Sequence, residues 1–254
     1  MLAVGLILMA LAGPWLAPYD PESMHFASRF APPSWEFLLG TDSFGRDLLS
    51  RVLVGARSTI LLALLATIIG STVGALIGLI SAYFGGRIDE IIMRIVDAVM
   101  AIPGLLFALL IISALGSSAI NAVIAIGITF APGMARVSRS ITLTVREQDY
   151  VAAAVARGEG AAWIILREIA PNILAPVIVE STIRVAFAIM LLATLSFLGM
   201  GAQPPSPEWG LMISDARAHL YRSPWPVIAP GVAIATVAVA FNLLGDGLRD
   251  VLNP

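Results

Sequence analysis

Long uncharged apolar runs alternate with short charged stretches along this chain. Thr59–Ala82 is the cleanest run, 24 residues without a charge. A helix rises about 1.5 Å per residue, so roughly 20 residues cross a ~30 Å hydrocarbon core, and this run predicts one span. Ala98–Ala135 is uncharged for 38 residues, too long for a single crossing. Gly116-Ser117-Ser118 divides it at a turn signal, which predicts helices over about Ile91–Leu115 and Ala119–Ala135. Ile173–Leu198 and Ser223–Gly245 predict two more. The first run, Met1–Pro18, is short and contains Gly13-Pro14. It lacks the basic lead and small-residue cleavage site of a signal peptide, so it reads as a first span. The expected fold is an all-α membrane protein of about six transmembrane helices.

That count divides the chain into a first helix at 1–18, an extracytoplasmic loop at 19–57 and a five-helix core at 58–254. The core carries an inner loop at 136–171 and an outer loop at 199–222. Basic residues orient such proteins. Here seven arginines on one side face six on the other, a slight lean toward a cytoplasmic 136–171 loop. Within that loop, Gln148–Ala156 is Ala-rich and a good helix former. Gly158 suits a helix stop with positive φ. A second helical run, Ala161–Ala170, ends at Pro171. Two short helices joined at a glycine suit docking into a partner's groove, or lying on lipid.

Composition narrows the chemistry. The chain of 254 residues is 58% hydrophobic and 13% charged, against about 45–50% and 25% for a soluble domain. A water-soluble enzyme, a disordered chain and a nucleic-acid binder all conflict with these numbers. There is no Cys, hence no thiol nucleophile or thiolate metal site. All 15 basic residues are Arg. A phosphate-cradling loop ending in Gly-Lys-Ser/Thr therefore cannot occur, nor can a Schiff-base lysine. No hydrolytic triad order or H-E-x-x-H motif is present, and His25 and His219 make a weak case for a metal.

Several residues within the spans invite a role. Gly70, Gly74 and Gly78 recur every four residues, so one helix face allows close backbone approach, either to another subunit or within this one. Arg94 with Asp97, and Glu180 with Arg184, are spaced to pair along a helix. An ionisable group in the bilayer is a functional candidate, and Glu180 and Arg184 sit deepest; they either line a pathway or tie helices together. Ile102-Pro103-Gly104 predicts a kink. Trp15, Trp209 and Trp225 read as interfacial anchors.

The inner loop also carries a signature. Asp149-Tyr150-Val151-Ala152-Ala153-Ala154, then Gly158, then Ile169-Ala170-Pro171-Asn172, resembles the EAA loop of ABC-importer permease subunits. Leu39-Gly40-Thr41-Asp42-Ser43-Phe44-Gly45-Arg46-Asp47 resembles one branch of that family, the dipeptide/oligopeptide/nickel permeases. So do Ser196–Gly199 running on to Gln203–Gly210, and Phe241–Asp250, in the manner of the second, C-type subunit. Together these cover residues ~20 to 254 in order. Ala152 stands where the family's signature has Glu, with Asp149 the nearest upstream acid; Val155 and Arg157 also depart from the pattern.

The resemblance implies a permease subunit of an ATP-driven importer, forming half of a translocation pathway, with di- or oligopeptides favoured over nickel or another small solute. It implies that Asp149, Tyr150, Ala152, Ala153, Ala154 and Gly158 contact a cytosolic ATPase. The implied partners are a second permease subunit, two ATPase subunits and an extracytoplasmic solute-binding protein, in the bacterial inner membrane. No cofactor is expected on this chain; ATP and Mg belong to the ATPases. A charged cytosolic lead is usual in the family, so a truncated start is one reading of Met1. A secondary transporter or channel is the competing class, but it calls for an inverted repeat or an intramembrane relay. The halves do not repeat. A non-transporting membrane scaffold is the third.

Overall fold

The computed structural model describes residue 5 and residues 12–252. Of the first predicted span, residues 1–4 and 6–11 lie outside the described residues. Its end is helical over residues 12–16, and Gly13 sits against the Leu53 backbone.

Among the described residues eight α-helices follow: α1 Leu48–Phe84, α2 Gly86–Met100, α3 Gly104–Leu115, α4 Ala119–Arg146, α5 Asp149–Ala156, α6 Ala161–Phe197, α7 Trp209–Ala216 and α8 Trp225–Leu252. Among the described residues, α1, α4, α6 and α8 are each long and apolar enough to cross a membrane. The end carrying Asp42 and Trp209 is termed outer, and the end carrying α5 inner.

The predicted third span is broken. α2 and α3 meet at 91° around Ala101-Ile102-Pro103. The kink signal was legible, but its size was not. Pro103 has extended ψ (128°) and caps α3, so the helix restarts there instead of bending. α2 is amphipathic, with Ile88, Ile91 and Ile95 exposed on one side and charged residues on another.

Two other boundaries differ from expectation. α1 starts at Leu48, eleven residues before the uncharged run, because Asp47 caps it by accepting from the Ser50 N–H (2.8 Å). Arg51, which looked like a loop charge, is buried in that first turn. The expected second loop helix does not stop at Pro171 either. A π-helical segment, Ile164–Ile169, widens the turn, with the Ala170 N–H reaching the Ile165 carbonyl, and α6 runs on through the proline.

α1 and α4 form the most extensive helix pair. They run parallel, because Gly70, Gly74 and Gly78 face Gly127, Ala131 and Ala135 in that order. The glycine face is thus packing within this subunit. A β-carbon at Gly70 would lie 2.7 Å from the Gly127 carbonyl oxygen. Small residues continue the theme, with Ala63, Ala66, Ala122, Ala125 and Ala188 fully buried in the main core. Close backbone approach replaces the hydrophobic drive that lipid does not supply.

Candidate functional site

The inner end is assembled around α5. Val151 and Ala154, three residues apart, turn inward into a cluster with Leu79 of α1 and Ile164, Ile169 and Ile173 of α6. The opposite face carries Asp149, Tyr150, Ala152 and Ala153, all exposed. Ala154 is fully buried, so this expected contact residue holds α5 to its own chain instead. Sequence reasoning missed its companion Val151; their i, i+3 spacing was the available signal.

Gly158 has φ +81° and closes α5 as expected, with its N–H donating to the Val155 carbonyl (2.9 Å). Arg157, one of the departures from the family pattern, ties the turn down. Its guanidinium reaches Glu168 (3.5 Å) and Glu159 (3.7 Å) and lies over the Trp163 ring. Burial, with the Glu168 carboxylate, pushes the Tyr150 hydroxyl above its ordinary pKa. α5 is therefore a short helix with one exposed face and one buried face that bears on α1 and α6.

The membrane charges sort differently from expectation. Glu180 and Arg184 do pair, at 2.8 Å. Arg184 also leans on α4, its guanidinium beside Gly133 and over the Phe130 ring. Arg94 and Asp97 do not pair. Arg94 bonds Glu90 (2.8 Å), while Asp97 reaches across to Arg136 of α4 (2.5 Å). The three-residue spacing was permissive, but a partner on a neighbouring helix won.

The outer end is a compact cap. Asp42 accepts from the Phe44 and Arg46 N–H groups and holds the Arg46 guanidinium (2.6 Å). Arg51 lies 3.9 Å from Asp42 and donates to the carbonyls of Pro21 (2.9 Å) and Ser206 (3.4 Å). It thereby joins two stretches that carried the resemblance, Leu39–Asp47 and Gln203–Gly210. Glu208 caps α7, accepting from the Gly210 (3.0 Å) and Leu211 (2.9 Å) N–H groups. Burial pushes its carboxyl up, against those two N–H groups. Trp209 is 2% exposed and donates to the Val52 carbonyl (3.0 Å), so it is a core residue and no interfacial anchor. Asp215 is likewise raised by burial, against the pull of Arg46 and Arg51. The third stretch, the tail, packs Gly245 against Ile183 of α6.

Comparison with known proteins decides the family. Residues 74–254 match the model for "Binding-protein-dependent transport system inner membrane component". The chain belongs to this family. Residues 1–33 match the N-terminal transmembrane domain of oligopeptide transport permease C. Among relatives, a di/tripeptide transport system permease protein of Pseudomonas aeruginosa is 42% identical, aligned over 98% of this chain and 84% of the relative. A probable D,D-dipeptide transport system permease protein of Escherichia coli is also 42% identical, over 100% of this chain and 85% of the relative. A glutathione transport system permease protein of E. coli is 41% identical, over 98% and 82%. In fold, the chain resembles the MetNI methionine ABC transporter in an inward-facing conformation. That likeness has TM-score 0.65 at 16% identity, covering 80% of this chain and 96% of the other. This permease is a multi-pass membrane protein and a non-catalytic subunit of an ABC importer.

Proposed function

We propose that this chain is one of two related permease subunits in an ATP-driven importer of di- and oligopeptides in the bacterial inner membrane. Two cytosolic ATPase subunits, which hold ATP and Mg, and an extracytoplasmic solute-binding protein complete the assembly. The peptide reading draws on the three relatives, whose named substrates are all short peptides. The observation that carries the coupling role is the two-faced burial of α5. A partner pressing on Tyr150, Ala152 and Ala153 displaces Val151 and Ala154, and with them the inner ends of α1 and α6. ATP binding on the partner then biases the populations of two permease states. On this chain Glu180 and Arg184 face the pathway.

The test uses the reconstituted transporter with its binding protein. Gly158→Val forces a β-branched residue into positive φ at the end of α5. ATP hydrolysis should persist while its stimulation by loaded binding protein, and peptide uptake, fall at least tenfold. Unchanged stimulation and uptake would overturn the coupling role. Uptake unchanged in rate and peptide preference after replacing Glu180 and Arg184 by Gln would reduce that pair to a structural tie.

A further inference from the structure

The ion pair between Arg136 and Asp97 poses a problem of solvation. Arg136 lies about 25 Å along α4 from its outer start, toward the inner edge of a ~30 Å hydrocarbon core. Yet the two side chains are 51% and 56% exposed. An ionisable group on a spanning helix turns to protein, to a water-filled cavity or, near the edge, to the headgroups, and not to acyl chains.

The surroundings fit water. A cavity of about 550 Å³ opens between α2 and α4, lined by Glu90, Arg94, Asp97, Arg136 and Arg139 among others. On the other side of α4, a cavity of about 230 Å³ is lined by Val137, Glu180 and Arg249. Between the two, α4 presents Thr129, Gly133, Arg136, Ser140 and Thr144. They recur every three or four residues and so share one face. Arg136, Ser140 and Thr144 are exposed. The opposite face, with Ala131, Met134, Ala135 and Ser138, is buried against α1.

We propose that this strip of α4, bracketed by Asp97–Arg136 and Glu180–Arg184, lines the water-filled route through the permease. Each bracket sets a guanidinium beside a carboxylate, so the route is balanced in charge and suits a zwitterionic solute. The helix that carries the strip, α4, ends at Arg146, three residues before α5 begins, so the route runs down to the coupling helix. The inference rests on the transport reading above.

The chain has no Cys, so single cysteines report solvent directly. Thr129→Cys and Ser140→Cys are placed in the assembled transporter in proteoliposomes. Ile128→Cys, an exposed apolar position at the depth of Thr129, is the reference. Labelling of this chain by membrane-impermeant methanethiosulfonates, one cationic and one anionic, is read by mass spectrometry. Both test positions should react at least tenfold faster than Ile128→Cys, and the two reagents should agree within about threefold. Thr144→Cys replaces either variant that fails to assemble. Rates equal to the reference would mean that protein or lipid covers the strip and would overturn the proposal. A tenfold preference for one reagent charge would overturn the balanced route. ATP-driven peptide uptake by the unmodified transporter is measured in parallel. Its absence would defeat the transport reading while leaving the accessibility contrast to be judged on its own.

Discussion

Gly70 of α1 and Gly127 of α4 approach so closely that a β-carbon on the first would sit 2.7 Å from the carbonyl oxygen of the second. The same fit repeats one turn on at Gly74 with Ala131, and again at Gly78 with Ala135. Overpacking a close helix contact costs about 1–3 kcal/mol. Gly70→Val should therefore lower the thermal unfolding midpoint of the detergent-solubilised permease. Gly231→Ala, where an added β-carbon meets nothing within 4 Å, should leave it unchanged or slightly higher. Equal effects would show that the α1–α4 fit is not limiting.

The two faces of α5 should separate stability from coupling. Val151→Asp buries a carboxylate in an apolar cluster and should reduce the yield of folded permease. Ala153→Arg adds bulk on the exposed face and should leave folding intact while weakening ATPase capture in co-purification. The opposite pattern would mean that α5 presents its other side to the partner.

Removing Asp42 strands the buried guanidinium groups of Arg46 and Arg51. Breaking a buried ion pair from one side typically costs about 3–5 kcal/mol. Asp42→Ala should lower the unfolding midpoint more than the exposed-pair variant Glu90→Ala. Loss of the cap should also expose sites in residues 19–47 to protease. A midpoint within error of the parent would contradict the role assigned to the cap.

Burial raises the carboxyl of Glu208 above its ordinary pKa. A group raised on folding holds its proton more tightly in the native state. Its contribution to stability is full below the unfolded pKa and is lost as pH rises through the folded one. Glu208→Gln removes that loss. The difference in unfolding midpoint, variant minus parent, should therefore increase as pH rises from about 4 to about 7. A flat difference would show that the two backbone N–H donors cancel the burial effect.

The long helices were legible because uncharged runs of 20 or more residues admit little else in a chain this apolar. Gly158 and the α5 helix were legible from turn chemistry and Ala content. Other features lie beyond local pattern. Arg51 reads as a loop charge until carbonyls from Pro21 and Ser206, far apart in sequence, are seen around it. Trp209 reads as an interfacial ring until Val52 accepts its N–H. The Arg136–Asp97 pair bridges 39 residues, and only the packing of α2 against α4 brings its members together. Pro171 misleads because a π turn, which has no residue signature, absorbs it.

The central claim is that ATP hydrolysis on partner subunits drives peptides past this chain. The most direct test is uptake of a labelled dipeptide by proteoliposomes holding the complete transporter and its binding protein, with ATP inside and ionophores abolishing every ion gradient. Uptake that requires ATP, persists with ionophores and falls at least tenfold in Gly158→Val is the expected result. Uptake that proceeds without ATP and collapses with the ion gradient would contradict it.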